Sequence, residues 1–160
     1  MYNYISQWHT VCNYLQFNIK NLMETTIIMI TALLVSQEKK VFKTLEAGFA
    51  DNNISTEWVS SGQDALSLLT SKKFDLFITN EKLPDMKAKQ LIEKALFQNA
   101  MMNSVVLSQL SHKDFHEAYE GLGVLMQFPL KPETEHIQNL IEHLERIDRI
   151  TKQTNSLKGE

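Results

Sequence analysis

Polar residues that could take part in chemistry stand directly after four short apolar runs of this sequence. They are Ser36-Gln37, Asn80, Ser108 and Lys131. The amide nitrogen of Asn80 shares its lone pair with the carbonyl group, so Asn80 is a poor nucleophile. Hydroxyl and amide groups exchange hydrogen bonds readily, and Lys131 adds one positive charge. These residues therefore predict a hydrogen-bonded cluster rather than a covalent catalyst.

Metal and nucleophile motifs are weak or missing elsewhere in the sequence. His112 and His116 are four residues apart, a spacing that suits one metal ion on a helix, but no third ligand is apparent. We therefore expect no metal site and no cofactor, and we expect His136 and His143 to face solvent. No Gly-rich phosphate loop, nucleophile elbow or Cys-x-x-Cys motif occurs, so the sequence does not predict an enzyme.

The apolar runs alternate with helical patterns from residue 27 onward. Val41, Leu45 and Phe49 recur every four residues, which is the spacing of one helical face. Ser111 is a suitable N-cap for the helix that contains Phe115. The strands are predicted over residues 27–35, 56–59, 74–79, 105–107 and 124–128, and the last helix over 133–150. This alternation predicts an α/β domain with a doubly wound, five-stranded parallel sheet.

A parallel sheet of this kind brings the four polar sites together. Open α/β sheets place their functional groups at the carboxyl ends of the strands, near the point where the strand order reverses. Each of the four sites follows a predicted strand, so we expect them to converge at one edge of the sheet.

Length and composition exclude several classes of protein. The chain has 160 residues, of which 43% are hydrophobic and 22% charged, as expected for one domain with a short appendage. A net charge of −3 argues against general nucleic-acid binding. The longest apolar run, residues 27–35, is much shorter than the roughly 20 residues of a membrane span, and Met1–Leu22 lacks the features of a signal peptide. A single cysteine, Cys12, suits the reducing cytosol, so we expect the protein to be cytoplasmic. From the charge and the short apolar run, we expect it to bind neither nucleic acid nor membranes.

An amphipathic helix is predicted before the α/β domain. Its apolar residues fall at spacings of three and four: Ile5, Trp8, Cys12, Leu15, Ile19 and Leu22. This helix either caps its own domain or forms a dimer or partner contact. Alternatively, Met23 is the native start and the segment is an artefact of the start site. We divide the chain into a helical extension (1–24), the α/β domain (25–150) and a flexible tail (151–160).

Residues from about 27 to 150 resemble a CheY-like response-regulator receiver domain, the phosphorylated module of two-component systems. The resemblance rests on the order of several motifs: Leu33-Leu34-Val35, Ser61-Gly62, Asp75-Leu76, Pro84 four residues after Asn80, and Lys131-Pro132 after the fifth strand. The family implies a flavodoxin-like sheet with strand order 2-1-3-4-5.

The resemblance also indicates what this sequence has lost. Asn80 stands where the family has its phosphoacceptor aspartate. Ser36 and Gln37 stand where two acidic residues complete the family's Mg²⁺ site, unless a register shift brings Glu38 inside. Because Mg²⁺ prefers carboxylate oxygens, these neutral residues predict neither Mg²⁺ binding nor phosphorylation.

The family's switch positions are kept. Ser108 corresponds to the hydroxyl that bonds the phosphoryl group, Phe128 to the aromatic switch residue, and Lys131 to the lysine of the site. We expect the carbonyl of Asn80 to accept a hydrogen bond from Lys131 or Ser108, and its amide to donate to Gln37.

Glu81 and Asp85 are the carboxylates nearest to Asn80 in the sequence, one and five residues past it. Because both lie beyond the strand end, we expect neither to act as a substitute phosphoacceptor. Gln109, directly after Ser108, is expected to crowd the mouth of the pocket that Asn80, Ser108 and Lys131 would form.

These residues favour a stand-alone pseudo-receiver that acts in signal transduction by phosphorylation-independent protein–protein interaction. The resemblance implies a partner surface formed by the fourth helix, the fifth strand and the fifth helix, and the N-terminal helix is a candidate for homodimer formation. One alternative is a receiver regulated by a non-phosphoryl ligand or anion at Asn80, Ser108 and Lys131. Another is a small flavodoxin-like enzyme.

Overall fold

The computed structural model of this protein describes residues 30–157. The predicted N-terminal helix (1–24), the first residues of the predicted first strand (27–29) and the last three residues of the chain lie outside the described residues. The α/β domain is described from the residue before its first strand to the end of its last helix.

Strands and helices alternate along the described chain, as the sequence predicts. A short 3-10 turn at Lys39–Phe42 leads into the first helix. The elements are β1 Thr31–Val35, α1 Lys43–Asp51, β2 Ser55–Val59, α2 Gly62–Ser71, β3 Leu76–Asn80, α3 Ala88–Gln98, β4 Asn103–Leu107, α4 His112–Tyr119, β5 Val124–Phe128 and α5 Thr134–Leu157.

The five strands form one parallel sheet in the order β2-β1-β3-β4-β5. The predicted fold class and strand order are therefore confirmed. Val35 of β1 lies opposite Thr79 of β3, Asn80 of β3 lies opposite Leu107 of β4, and Leu107 lies opposite Phe128 of β5. The strands therefore end together at one edge, which we call the carboxyl edge.

Two apolar clusters cover the two faces of the sheet. On one face, buried side chains of the sheet pack with α1 and α5, for example Phe49 and Leu140. On the other face they pack with α2, α3 and α4, for example Leu91 and Phe115. Burial on both faces explains why the central strands β1, β3 and β4 contain continuous apolar runs in the sequence.

Local signals fix several helix ends. The Oγ of Ser111 accepts the backbone N–H of Asp114 over 3.2 Å and so caps α4, as predicted, and Ser61 caps α2 in the same way. Beyond α4, Gly121 and Gly123 adopt φ values of +79° and +62°, in the left-handed region that favours glycine.

The last helix is longer than its predicted span. Its apolar face buries Ile137, Leu140 and Leu144 against the sheet, and the helix continues to Leu157. The predicted boundary at residue 150, between domain and flexible tail, therefore falls inside α5. None of the helices in residues 30–157 combines the length and the apolar character that crossing a membrane requires.

Candidate functional site

Asn80 and Ser36 are joined by a hydrogen bond at the carboxyl edge. The amide Nδ2 of Asn80 donates to the Oγ of Ser36 over 2.9 Å. Ser36 is fully buried, its Oγ also accepts the backbone N–H of Glu38, and its carbonyl accepts the indole N–H of Trp58 over 3.0 Å. Ser36, which follows β1, and Asn80, which ends β3, therefore meet, as their positions in the sequence predicted.

The other hydrogen bonds predicted for Asn80 are wrong. Its amide reaches Ser36 rather than Gln37, because the chain turns outward after Ser36 and leaves Gln37 exposed. Its carbonyl Oδ1 is buried and has no hydrogen-bond partner among the described residues. Lys131 is exposed and forms no hydrogen bond or ion pair in the described part of the chain.

Glu81 brings a carboxylate into the cluster, which the sequence did not predict. Its Oε2 accepts a hydrogen bond of 2.7 Å from the Oγ of Ser108, a residue only 3% exposed. Consecutive side chains therefore reach opposite neighbours: Asn80 bonds the end of β1, and Glu81 bonds the end of β4. The cluster, in which no carboxylate was expected, therefore contains one.

Tyr119, the last residue of α4, lies close to the same carboxylate. Its side chain is buried, and its ring centroid is 4.7 Å from that of Phe115. Burial raises the pKa of Tyr119 to about 12, and the negative charge of Glu81 contributes to the rise. The Tyr119 hydroxyl therefore stays protonated at neutral pH and supplies no acid–base group to the site.

Asp85 fastens the loop between β3 and α3 to the start of α2. Its two carboxylate oxygens accept the backbone N–H groups of Gly62 and Gln63 over 2.9 and 2.8 Å. Met86 packs directly over Gly62, where an added Cβ would lie 2.6 Å from the sulfur of Met86. Burial raises the pKa of Asp85, but the backbone hydrogen bonds outweigh burial and hold this pKa below its ordinary value. The loop that carries Glu81 is therefore anchored at its far end.

Replacing Asp85 by asparagine should lower the free energy of unfolding by roughly 1 kcal/mol, because the charge at the N-terminus of α2 is lost. The folded-state pKa of Asp85 is lowered, so its stabilising contribution is present above the ordinary value of 3.8 and is lost as the pH falls through the folded-state pKa. Urea unfolding of the wild type and of Asp85→Asn, from neutral pH to below the ordinary pKa of 3.8, measures the difference in their free energies of unfolding. This difference should disappear in acid.

The matched control for this experiment is Asp51→Asn. Asp51 is exposed at the end of α1, and its side chain makes no hydrogen bond or ion pair within residues 30–157. If the difference between wild type and Asp85→Asn persists in acid, the carboxylate of Asp85 is not its source.

A shallow cleft of about 250 Å³ lies beside the cluster, lined by Asn80, Glu81, Lys82, Gln109 and Leu130. Gln109 lies at this cleft, as predicted, but Leu130 rather than Lys131 contributes to its wall. The predicted anion pocket is therefore not assembled, since its lysine points to solvent and the Ser108 hydroxyl is bonded to a carboxylate.

A second groove, of about 430 Å³, is formed by α4, β5 and α5. We call it the α4–β5–α5 groove; its lining includes His112, His116, His136 and the half-buried Met126. Phe128 also lines it but is only 2% exposed, and its ring meets that of His136 edge-on at 5.7 Å. Phe128 is therefore packed into the core rather than turned outward.

The histidines of this groove do not form a metal site. Among the described residues, no group of three His, Cys, Asp or Glu side chains is placed to hold a metal ion. The Nδ1 of His136 accepts the backbone N–H of Glu133 over 3.3 Å. His136 and His143, which were expected to face solvent, are both half-buried.

The sequence matches no protein-family model and none of the curated proteins, but solved structures match the chain over most of its length. The signal receiver domain of an HD domain-containing protein from Pseudomonas fluorescens Pf-5 superposes with a TM-score of 0.67 and 15% identity, over 78% of this chain and 93% of that chain. A CheY-like response regulator receiver domain protein from Methanospirillum hungatei JF-1 gives 0.67 and 17%, over 78% and 98%. The chemotaxis response regulator CheY4 of Vibrio cholerae gives 0.65 and 14%, over 72% and 98%. This chain has the receiver-domain fold.

Within the receiver-domain fold, Glu81 is the site residue that sequence reasoning missed. A side chain one position past a strand end can turn towards either neighbouring strand, so the residue pattern gave no signal. Its direction is set by the sheet, where the N–H of Glu81 donates to the carbonyl of Leu107 over 3.0 Å. That bond places Glu81 beside the residue that follows Leu107, which is Ser108.

Proposed function

We propose that this chain is a receiver-like signalling module that works by protein–protein contact and without phosphorylation. The observation that carries the proposal is the state of Asn80, the residue at the end of β3 where the resemblance places a phosphoacceptor. Its nitrogen is an amide that donates to the buried Ser36 over 2.9 Å. The lone pair of an amide nitrogen is delocalised into the carbonyl group, so Asn80 cannot attack a phosphoryl donor and form an acyl phosphate.

The surroundings of Asn80 also disfavour a bound Mg²⁺ ion. Mg²⁺ is usually held by carboxylates and keeps several water molecules in octahedral geometry. At the end of β1 the only side chain turned inward is the hydroxyl of Ser36, while Gln37 and Glu38 are exposed. The one carboxylate of the cluster, Glu81, is directed to Ser108 at the end of β4. No cofactor is part of the proposal.

The α4–β5–α5 groove is the surface that we assign to partner binding. Its lining combines half-buried apolar side chains of β5 with three histidines and Asn139. This composition suits a protein partner that inserts a small apolar anchor and forms hydrogen bonds around it. A homodimer through the N-terminal helix remains part of the proposal. Membrane or nucleic-acid binding does not, and we place the protein in the cytoplasm.

Exposure to acetyl phosphate and Mg²⁺ tests the proposal. We expect the intact mass of the full chain to stay unchanged under conditions that phosphorylate a receiver domain with an acceptor aspartate. The same result is expected for Asn80→Asp, because the acidic pair of the Mg²⁺ site is missing as well. Gain of one phosphoryl group by the wild-type chain, stable enough to be seen in the intact mass, would contradict the proposal.

A further inference from the structure

The hydrogen bond between Glu81 and Ser108 joins two strand ends that are 27 residues apart in the sequence. At 2.7 Å it has the short length typical of a hydroxyl that donates to a carboxylate. The hydroxyl of Ser108 has one O–H donor, and that donor is directed to Glu81. An anion that approached from the side of Asn80 would therefore find this donor already in use.

The backbone of Glu81 is held by hydrogen bonds on both sides. Its N–H donates to the carbonyl of Leu107 over 3.0 Å, and its carbonyl accepts the N–H of Ala88 over 2.9 Å. These bonds tie Glu81 to the end of β4 and to the start of α3. Because the backbone of Glu81 is already fixed, its hydrogen bond to Ser108 requires the ordering of the side chain alone.

Ser108 in turn fixes the short connection to α4. Its Oγ accepts the N–H of Leu110 over 3.1 Å, and the carbonyl of Leu110 accepts the side chain of Gln127 over 2.8 Å. Ser111 follows immediately and caps α4. Ser108 is thus four residues before His112, the first residue of the helix that contributes His112 and His116 to the α4–β5–α5 groove.

We propose that Glu81 is a built-in anion that holds Ser108, and with it the start of α4, in one fixed position. This inference rests on the proposed function, because a module that is not phosphorylated needs another group to set the position of its partner-binding helix. Glu81 is a positioning residue: it acts on the α4–β5–α5 groove through Ser108 and Leu110 and does not contact the groove itself. The groove therefore keeps one conformation without a phosphoryl group or another ligand at Asn80.

Glu81→Ala tests the proposal by hydrogen exchange and histidine NMR. Amides 110–115 should exchange roughly tenfold faster than in the wild type, the size expected for loss of a charged hydrogen bond, while amides of β1 keep their rates. The ring signals of His112 and His116 should shift, and that of His143 on α5 should not. Glu81→Gln keeps an acceptor for Ser108 but removes the charge, so both effects should be smaller than in Glu81→Ala.

The matched control is Glu93→Ala, which removes an exposed glutamate from α3. Exchange that accelerates equally throughout the sheet would show that Glu81 only supports global stability, and unchanged exchange at α4 would show that it does not position the helix. Either result overturns the inference. The intact mass of the same wild-type sample after acetyl phosphate treatment tests the proposed function, which a phosphoryl adduct would contradict. The exchange data separately test whether Glu81 positions α4.

Discussion

Replacing Phe128 by alanine should destabilise the domain by roughly 3–5 kcal/mol, the cost of deleting a buried phenyl ring. Phe128 ends β5, is 2% exposed and belongs to the same apolar cluster as Leu107, Ile137 and Leu140. Its ring also makes the edge-on contact with His136 at the start of α5. Removing the ring leaves a cavity where β4, β5 and α5 meet. Urea unfolding of the wild type and the variant measures the loss.

Two further variants test whether the loss comes from the burial of the ring and from its apolar volume. Phe97→Ala removes the same side chain from α3, where it is 93% exposed, and should change stability by no more than about 0.5 kcal/mol. Phe128→Leu keeps most of the apolar volume and should cost less than about 1.5 kcal/mol. A loss for Phe128→Ala no larger than that for Phe97→Ala would mean that the ring is mobile and not part of the core.

Introducing two of the three carboxylates that the receiver resemblance implies should make stability depend on Mg²⁺. In Ser36→Asp combined with Asn80→Asp, two carboxylates replace a donor and an acceptor that are now 2.9 Å apart, and the first position is fully buried. Like charges at this distance repel, so we expect a loss of about 3 kcal/mol without a divalent ion. A Mg²⁺ ion between the carboxylates neutralises them and should recover most of that loss.

Unfolding of the double variant with and without Mg²⁺ measures this effect, and Asn80→Asp alone is the control. In the single variant the hydroxyl of Ser36 can donate to the new carboxylate, so both the loss of stability and the response to Mg²⁺ should be small. A double variant that is equally unstable with and without Mg²⁺ would show that the carboxyl edge no longer has the geometry of a metal site.

The fold was largely readable from the sequence, because the three central strands, β1, β3 and β4, are buried on both faces. Five short apolar runs alternate with helical patterns, and a buried parallel sheet is the arrangement that satisfies both. The caps at Ser61 and Ser111 are local signals as well, since one side chain satisfies one backbone N–H nearby. The end of the last helix was misjudged because residues 151–156 are all polar and continue the helix without an apolar face.

The site was only partly readable. The sequence by itself determined that the third strand ends on an amide, that the residues after the first strand are neutral, and that the strand ends meet. Only the tertiary structure decided which side chains bond: Asn80 to Ser36, Glu81 to Ser108, and Lys131 to none of them. Residue types and strand ends follow from the chain itself. The direction of a side chain just past a strand end depends on backbone bonds to neighbouring strands, which join residues far apart in the sequence.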